Sequence, residues 1–159
     1  MVQAQITAGC GNNNYCPDTL ATRKVIAIFI IKGRNLPPST APYNAYFDDI
    51  ANDEYAPFIN AMYENQISVG CGPRAYCPDG NATRAQLPVM IVNALQETPS
   101  TAAYNAYFDD IANDAYAPFI NRVFELAINA GCGTRLFCPT TNVDRAQLAV
   151  STAEAFLWN

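Results

Sequence analysis

Histidine is absent from these 159 residues. With it go the commonest general base, the commonest zinc ligand and every Ser/His or Cys/His nucleophile pair, so catalytic readings start without their usual apparatus. Charge is scarce as well. Nine Lys and Arg stand against fourteen Asp and Glu, a net charge of −5, and the basic residues form no stripe of the kind that tracks a nucleic-acid backbone. No nucleic-acid partner is expected. Long apolar runs are missing too: the longest, Val25 to Ile31, falls far short of the roughly 20 residues that cross a bilayer, so no membrane span is expected. Arg23 and Lys24 ahead of that run imitate a secretion signal. The same positions recur in later helical segments, so the run reads as helix, with any signal already removed or the chain a piece of a larger precursor. Half of the residues are hydrophobic and 14% are charged, which excludes a disordered chain and fits one or two compact units.

The cysteines recur with a period of 61 residues, at 10, 71 and 132 and at 16, 77 and 138. Arg23, Arg84 and Arg145 keep the same period, and Tyr43 to Asp53 returns letter for letter at Tyr104 to Asp114. Such self-similarity marks one supersecondary unit used repeatedly, each copy burying its apolar face on its neighbours. In phase, Met1 aligns with Met62, so the first copy starts midway and the chain holds about two and a half copies, divided as 1–36, 37–97 and 98–159. In the second copy, Tyr55, Phe58, Ile59, Met62, Tyr63 and Ile67 form a helical stripe, helix A, which Asn52 or Asp53 can cap. A Cys- and Gly-bearing loop follows, then a second stripe, helix B, at Leu87, Met90, Ile91, Ala94 and Leu95. Thr83-Arg84-Ala85-Gln86 predicts a capping box at its start, repeated with Asp144 and Gln147; in the first copy Thr22 keeps the cap and the reciprocal Gln is lost. Pro88 should loosen or bend helix B of the second copy. The predicted order is B, A, B, A, B.

An even cysteine count at fixed spacing in a loop-rich unit reads as one disulfide per copy: Cys10 with Cys16, Cys71 with Cys77, Cys132 with Cys138. That implies an oxidising compartment, outside the cell or at its surface. Metal binding is the rival reading, although the spacing is unlike that of zinc sites and neither a metal nor any cofactor is expected. Arg84 and Arg145 stand at the first helical position, where the free N–H groups and the helix dipole already favour anions, and a guanidinium adds a fork for carboxylate or phosphate. The competing expectation is that each Arg pairs with an acid such as Asp48 or Asp49 and ties copies together. The paired acids Asp48/Asp49 and Asp109/Asp110 read as caps and ion pairs. The aromatics of helix A, including Tyr63 and Tyr116, read as core, while Tyr43, Tyr46, Tyr104 and Tyr107 are freer to face a ligand.

Phe47-x-Asp49, Tyr55-Ala56, Ile67-x-x-Gly70, Cys77-Pro78-Asp79 and the Thr83 to Gln86 box together resemble the S-layer homology (SLH) repeat. The third copy matches over the same span and the first in its second half. The resemblance implies an all-α fold of helix–loop–helix units packed as a pseudo-threefold bundle, and a non-catalytic role: attachment to cell-wall or surface polysaccharide. It also implies glycan contacts at Arg23, Arg84 and Arg145, with Thr83, Gln86 and Gln147 from the boxes beside them. This chain departs from the family by Gln86 and Gln147 where a Glu is usual, and by Tyr55 and Tyr116 where a Trp is usual. The alternative function is an extracellular protein–protein assembly module. Three B helices but only two A helices leave an apolar groove, expected beside Val25, Ile26, Phe29 and Ile30. A second copy or another protein chain is expected to fill it.

Overall fold

The computed structural model of the protein describes residues 6–7, 9–128 and 131–158; Met1 and Asn159, where the first copy starts and the third ends, lie outside them. The described residues form five α-helices and no strand: α1 (Arg23–Gly33), α2 (Ala56–Glu64), α3 (Gln86–Leu95), α4 (Ala117–Glu125) and α5 (Arg145–Phe156). α1, α3 and α5 are the B helices and α2 and α4 the A helices, in the order read from the sequence. Each A helix packs on the B helix before it, α2 along α1 and α4 along α3, while the B helices meet one another, α1 and α5 most closely. Gly33 permits that last approach, since a Cβ there would stand 2.8 Å from the Phe156 ring and 2.9 Å from the Thr152 methyl.

The three copies close into a ring. Single antiparallel bridges join Thr22 to Asn81, Thr83 to Asn142 and Asp144 to Leu20, the same pair of repeat positions each time. Beside them the backbone N–H groups of Arg23, Arg84 and Arg145 donate to the carbonyls of Gly80, Thr141 and Thr19, at 2.9, 2.8 and 2.9 Å. The first N–H groups of α1 and α5, at Arg23 and Lys24 and at Arg145 and Ala146, are thus satisfied by a neighbour's loop, while in the second copy the same bonds fall just ahead of α3, at Arg84 and Ala85. The disulfides Cys10–Cys16, Cys71–Cys77 and Cys132–Cys138 staple those loops within each copy.

The helix starts depart from the even pattern of the sequence. α5 carries the full capping box: Gln147 N–H donates to Asp144 Oδ1 at 2.7 Å, and Gln147 Oε1 accepts from Asp144 N–H. In the second copy only the return bond forms, Thr83 N–H to Gln86 Oε1, and α3 begins at Gln86 itself. Pro88 explains the delay, because it has no N–H to give to the carbonyl one turn back. Thr22 does not cap α1 at all; its hydroxyl is buried without a partner. The connectors are fixed by side chains: buried Asn60 donates through Nδ2 to the carbonyls of Pro42 and Tyr43, at 3.0 and 3.2 Å, and Asn121 repeats this with Ala103 and Tyr104. Asn60→Ala is expected to cost about 2 kcal/mol, about 1 kcal/mol for each of the two hydrogen bonds it loses, measurable as a lowered urea midpoint at unchanged slope.

Two expectations fail here. Ile26, Phe29 and Ile30 are buried and Val25 packs against them, so α1 presents no open apolar face for a partner helix, only a narrow groove of about 230 Å³ along Val25, Phe29 and Lys32. The reason is the direction of packing: α2 lies along α1 and α5 closes on it, so among the described residues α5 is the helix with no A helix along it. Its exposed apolar residues are Val150 (50% exposed), Leu157 and Trp158. Tyr63 and Tyr116 of helix A are also not core, since the stripe is wider than the face it buries, and both remain exposed at its edge.

Candidate functional site

Each of the three repeated arginines sends its side chain into the cysteine loop of the neighbouring copy. Arg23 Nε donates to the Tyr76 carbonyl at 2.7 Å, Arg84 Nε to that of Phe137 at 2.8 Å, and Arg145 Nε to that of Tyr15 at 3.1 Å. The guanidiniums lie over the rings of those same residues, 4.8, 4.9 and 5.1 Å from their centroids. All three are buried, at 6%, 6% and 8% exposure. Burial pushes the Arg84 pKa below the usual arginine value. The expectation of arginine–carboxylate pairs is thus replaced by arginine–carbonyl contacts among the described residues. One nitrogen, Nη2, is left buried without a protein partner on Arg23 and on Arg84, whereas Nη2 of Arg145 reaches Thr7 Oγ1 at 3.4 Å.

The acids are engaged elsewhere. Asp48 pairs with Arg74 at 2.6 Å and Asp109 with Arg135 at 2.7 Å, and these hydrogen-bonded guanidiniums hold both carboxyls below the usual carboxylate range. Asp49 accepts from the N–H groups of Tyr76 and Cys77, and Asp110 from those of Phe137 and Cys138, so each carboxylate seats a helix-A entry on its own copy's loop. Lys24 bridges Asp53 and Asp79, at 3.3 and 2.6 Å.

Two grooves open where copies meet. The larger, about 350 Å³, runs beside Arg23 and is lined by Ser68, Gln86, Asn93 and Tyr116 among others. The second, about 230 Å³, runs beside Arg145 past Thr7, Val25, Phe29, Lys32 and Tyr55, the corresponding repeat positions. The arginine of one copy therefore faces helix B of the next: Arg23 meets Gln86, and Arg145 meets Val25. Thr83, Arg84 and Gln147 line neither groove. Ser68 and Asn93 were not singled out in the sequence. Their signal would have been polar residues on helix B and in the turn after helix A that do not belong to the apolar stripe.

An all-α ring of disulfide-stapled helical repeats with grooves at its seams is the class of protein that the fold and these sites define. Residues 46–87 match the S-layer homology domain profile. The chain is 30% identical over 115 residues to an endoglucanase of Bacillus sp. (strain KSM-635), an alignment covering 71% of this chain and 12% of that protein. It is 31% identical over 98 residues to a surface layer protein of Brevibacillus choshinensis, and 32% identical over 98 residues to a middle cell wall protein of Brevibacillus brevis (strain 47). Each of these two alignments covers 60% of this chain and 9% of the relative, so the chain spans about a tenth of the proteins it matches. Residues 46–87 are thus an S-layer homology match in a chain similar to parts of surface-layer and cell-wall proteins, which places it at the cell surface.

Proposed function

We propose that the chain, its copies 1–36, 37–97 and 98–159 acting together, attaches a larger protein non-covalently to cell-wall or surface polysaccharide without catalysis. The Arg23 groove is the main contact. The observation that carries this reading is the unpartnered, buried Nη2 of Arg23 on a groove that also presents Gln86, Asn93, Ser68 and the exposed ring of Tyr116. A guanidinium nitrogen taken out of water without an acceptor is costly, and an anionic or hydroxyl-rich sugar supplies one. Tyr116 supplies an apolar face for the sugar ring. Arg145 offers a second, narrower groove, and Arg84 with Gln147 stands at the corresponding seam facing α5.

Retention on purified cell-wall fractions, with and without their attached polysaccharide, tests the reading. The double variant Gln86→Ala, Tyr116→Ala should lose at least tenfold in retention while keeping its helical circular-dichroism signal. Retention that survives both the double substitution and removal of the polysaccharide would transfer the role to a second reading, docking of a protein partner. A specific feature favours that second reading: exposed Val150 on α5, along which none of the described A helices lies.

A further inference from the structure

The Arg23 and Arg145 grooves are built from the same repeat positions, and most of the pairs are chemically alike: Arg23 with Arg145, Ser68 with Thr7, and Tyr116 with Tyr55. Two pairs are not. Gln86 and Asn93 of α3 stand where α1 has Val25 and Lys32. Gln86 Oε1 accepts from the Thr83 N–H and Asn93 Nδ2 donates to the Ile67 carbonyl, both at 3.2 Å, so the Arg23 groove keeps an amide donor, an amide acceptor and the unpartnered Nη2 of Arg23. A hydroxyl both donates and accepts, and such a mixed lining suits it. The Arg145 groove holds two cations instead. Lys32 Nζ lies 5.7 Å from the centroid of the Phe58 ring, which belongs to the same groove wall, and neither groove has a carboxylate among its described lining residues. Two cations without an acid are out of keeping with a chain of net charge −5. The fold does not demand them, because the same repeat position is Lys32 in α1, Asn93 in α3 and Glu154 in α5.

We infer that the position shared by Lys32 and Asn93 sets which sugar each groove takes: an acidic sugar at the Arg145 groove and an uncharged one at the Arg23 groove. The inference rests on the polysaccharide reading above and adds that the two grooves differ. A carboxylate entering the Arg145 groove meets cationic donors and no acid, and each contact is a charge-assisted hydrogen bond. In the Arg23 groove the same carboxylate finds one cation instead of two, and an acceptor, Asn93 Oδ1, in place of the ammonium; a hydroxyl there meets a partner whichever way it turns. Val25 in place of Gln86 acts in the same direction, since it removes the amide that would bind a hydroxyl. One chain thus reads two different units of a polysaccharide that carries both.

Methyl glucuronide and methyl glucoside, which share a ring and differ in the acid group, are the probes, titrated into the nitrogen-15-labelled full chain and followed by NMR. The backbone amides of Thr7, Lys32 and Tyr55 should shift with the glucuronide at a midpoint about tenfold below that of the glucoside, and raised salt should narrow the gap. Those of Ser68, Asn93 and Tyr116 should shift with the glucoside at least as readily as with the glucuronide. Lys32→Asn should erase the preference and Asn93→Lys should confer it on the Arg23 groove; each variant installs a residue that another copy carries at that position, so the helical signal should hold. Equal midpoints for the two sugars at the Arg145 groove, or a preference that survives Lys32→Asn, overturn this inference and leave the polysaccharide reading standing. An equal response to sodium acetate also overturns it, because the groove would then hold an anion without reading the sugar. Neither sugar shifting either groove overturns the polysaccharide reading and this inference with it.

Discussion

Replacing all six cysteines with serine is expected to remove about 6 kcal/mol of stability. Each staple closes a short loop, and the chain-entropy treatment gives roughly 2 kcal/mol for a loop of this size. The total stability of a domain is about 5–15 kcal/mol, so the serine variant should be largely unfolded or close to its midpoint without denaturant. The loops also receive the arginines, so losing the staples loosens both partners of every seam. Urea unfolding followed by circular dichroism, for the oxidised chain and the serine variant, measures the difference. A midpoint within error of the oxidised chain would show that the seams hold the loops unaided.

Arg84→Ala is expected to cost about 3 kcal/mol. It deletes a hydrogen bond from a charged donor, worth about 1.5–3 kcal/mol, and a cation–π contact worth about 0.5–2 kcal/mol. These gains are offset in the native protein by burying a guanidinium with one nitrogen unsatisfied. Arg84→Met, which keeps bulk and removes the charge, should therefore recover at least 1 kcal/mol of the loss seen with Ala. Denaturant titration of the two variants tests both statements, and an Ala variant within about 0.5 kcal/mol of the parent would mean that the guanidinium plays no part in the seam. The same prediction explains why polysaccharide binding is better probed at Gln86 and Tyr116. Removing an arginine that supports a seam would reduce retention through the fold alone.

Much of this architecture could be read from the sequence because its signals are local. The 61-residue period carried the helix order, cysteine spacing carried the staples, and Asp144 with Gln147 carried a complete cap. The seams were harder, since they depend on which copy's loop meets which copy's helix. Arg84 was weighed against carboxylates because ion pairing is the ordinary fate of a buried guanidinium. Its partner is instead the Phe137 carbonyl, a backbone atom that side-chain chemistry does not advertise. For the same reason the sequence points to α1, not α5, as the helix without a helix A along it. A connector such as 37–47 can return helix A to either neighbouring helix, and only the packed chain shows that it returns to the one before it. Ser68 and Asn93 escaped for a related reason, as they become groove residues only when Arg23 arrives from another copy.

The ring of bridges also sets an order for folding. Two seams, Thr22 with Asn81 and Thr83 with Asn142, join residues about one period apart, while the third, Leu20 with Asp144, joins residues two periods apart. Closing the longer loop directly carries about 0.6 kcal/mol more entropy per doubling of its length. Once the first two seams exist, however, α5 is already held near α1 and the remaining search is short. The last seam therefore forms late and cooperatively, as a clasp whose two halves come from opposite ends of the chain. Because no peptide bond crosses it, it is also the place where the ring would first open under load or heat. The half-copy, with Tyr15 and Thr7 against Arg145, lies at that opening.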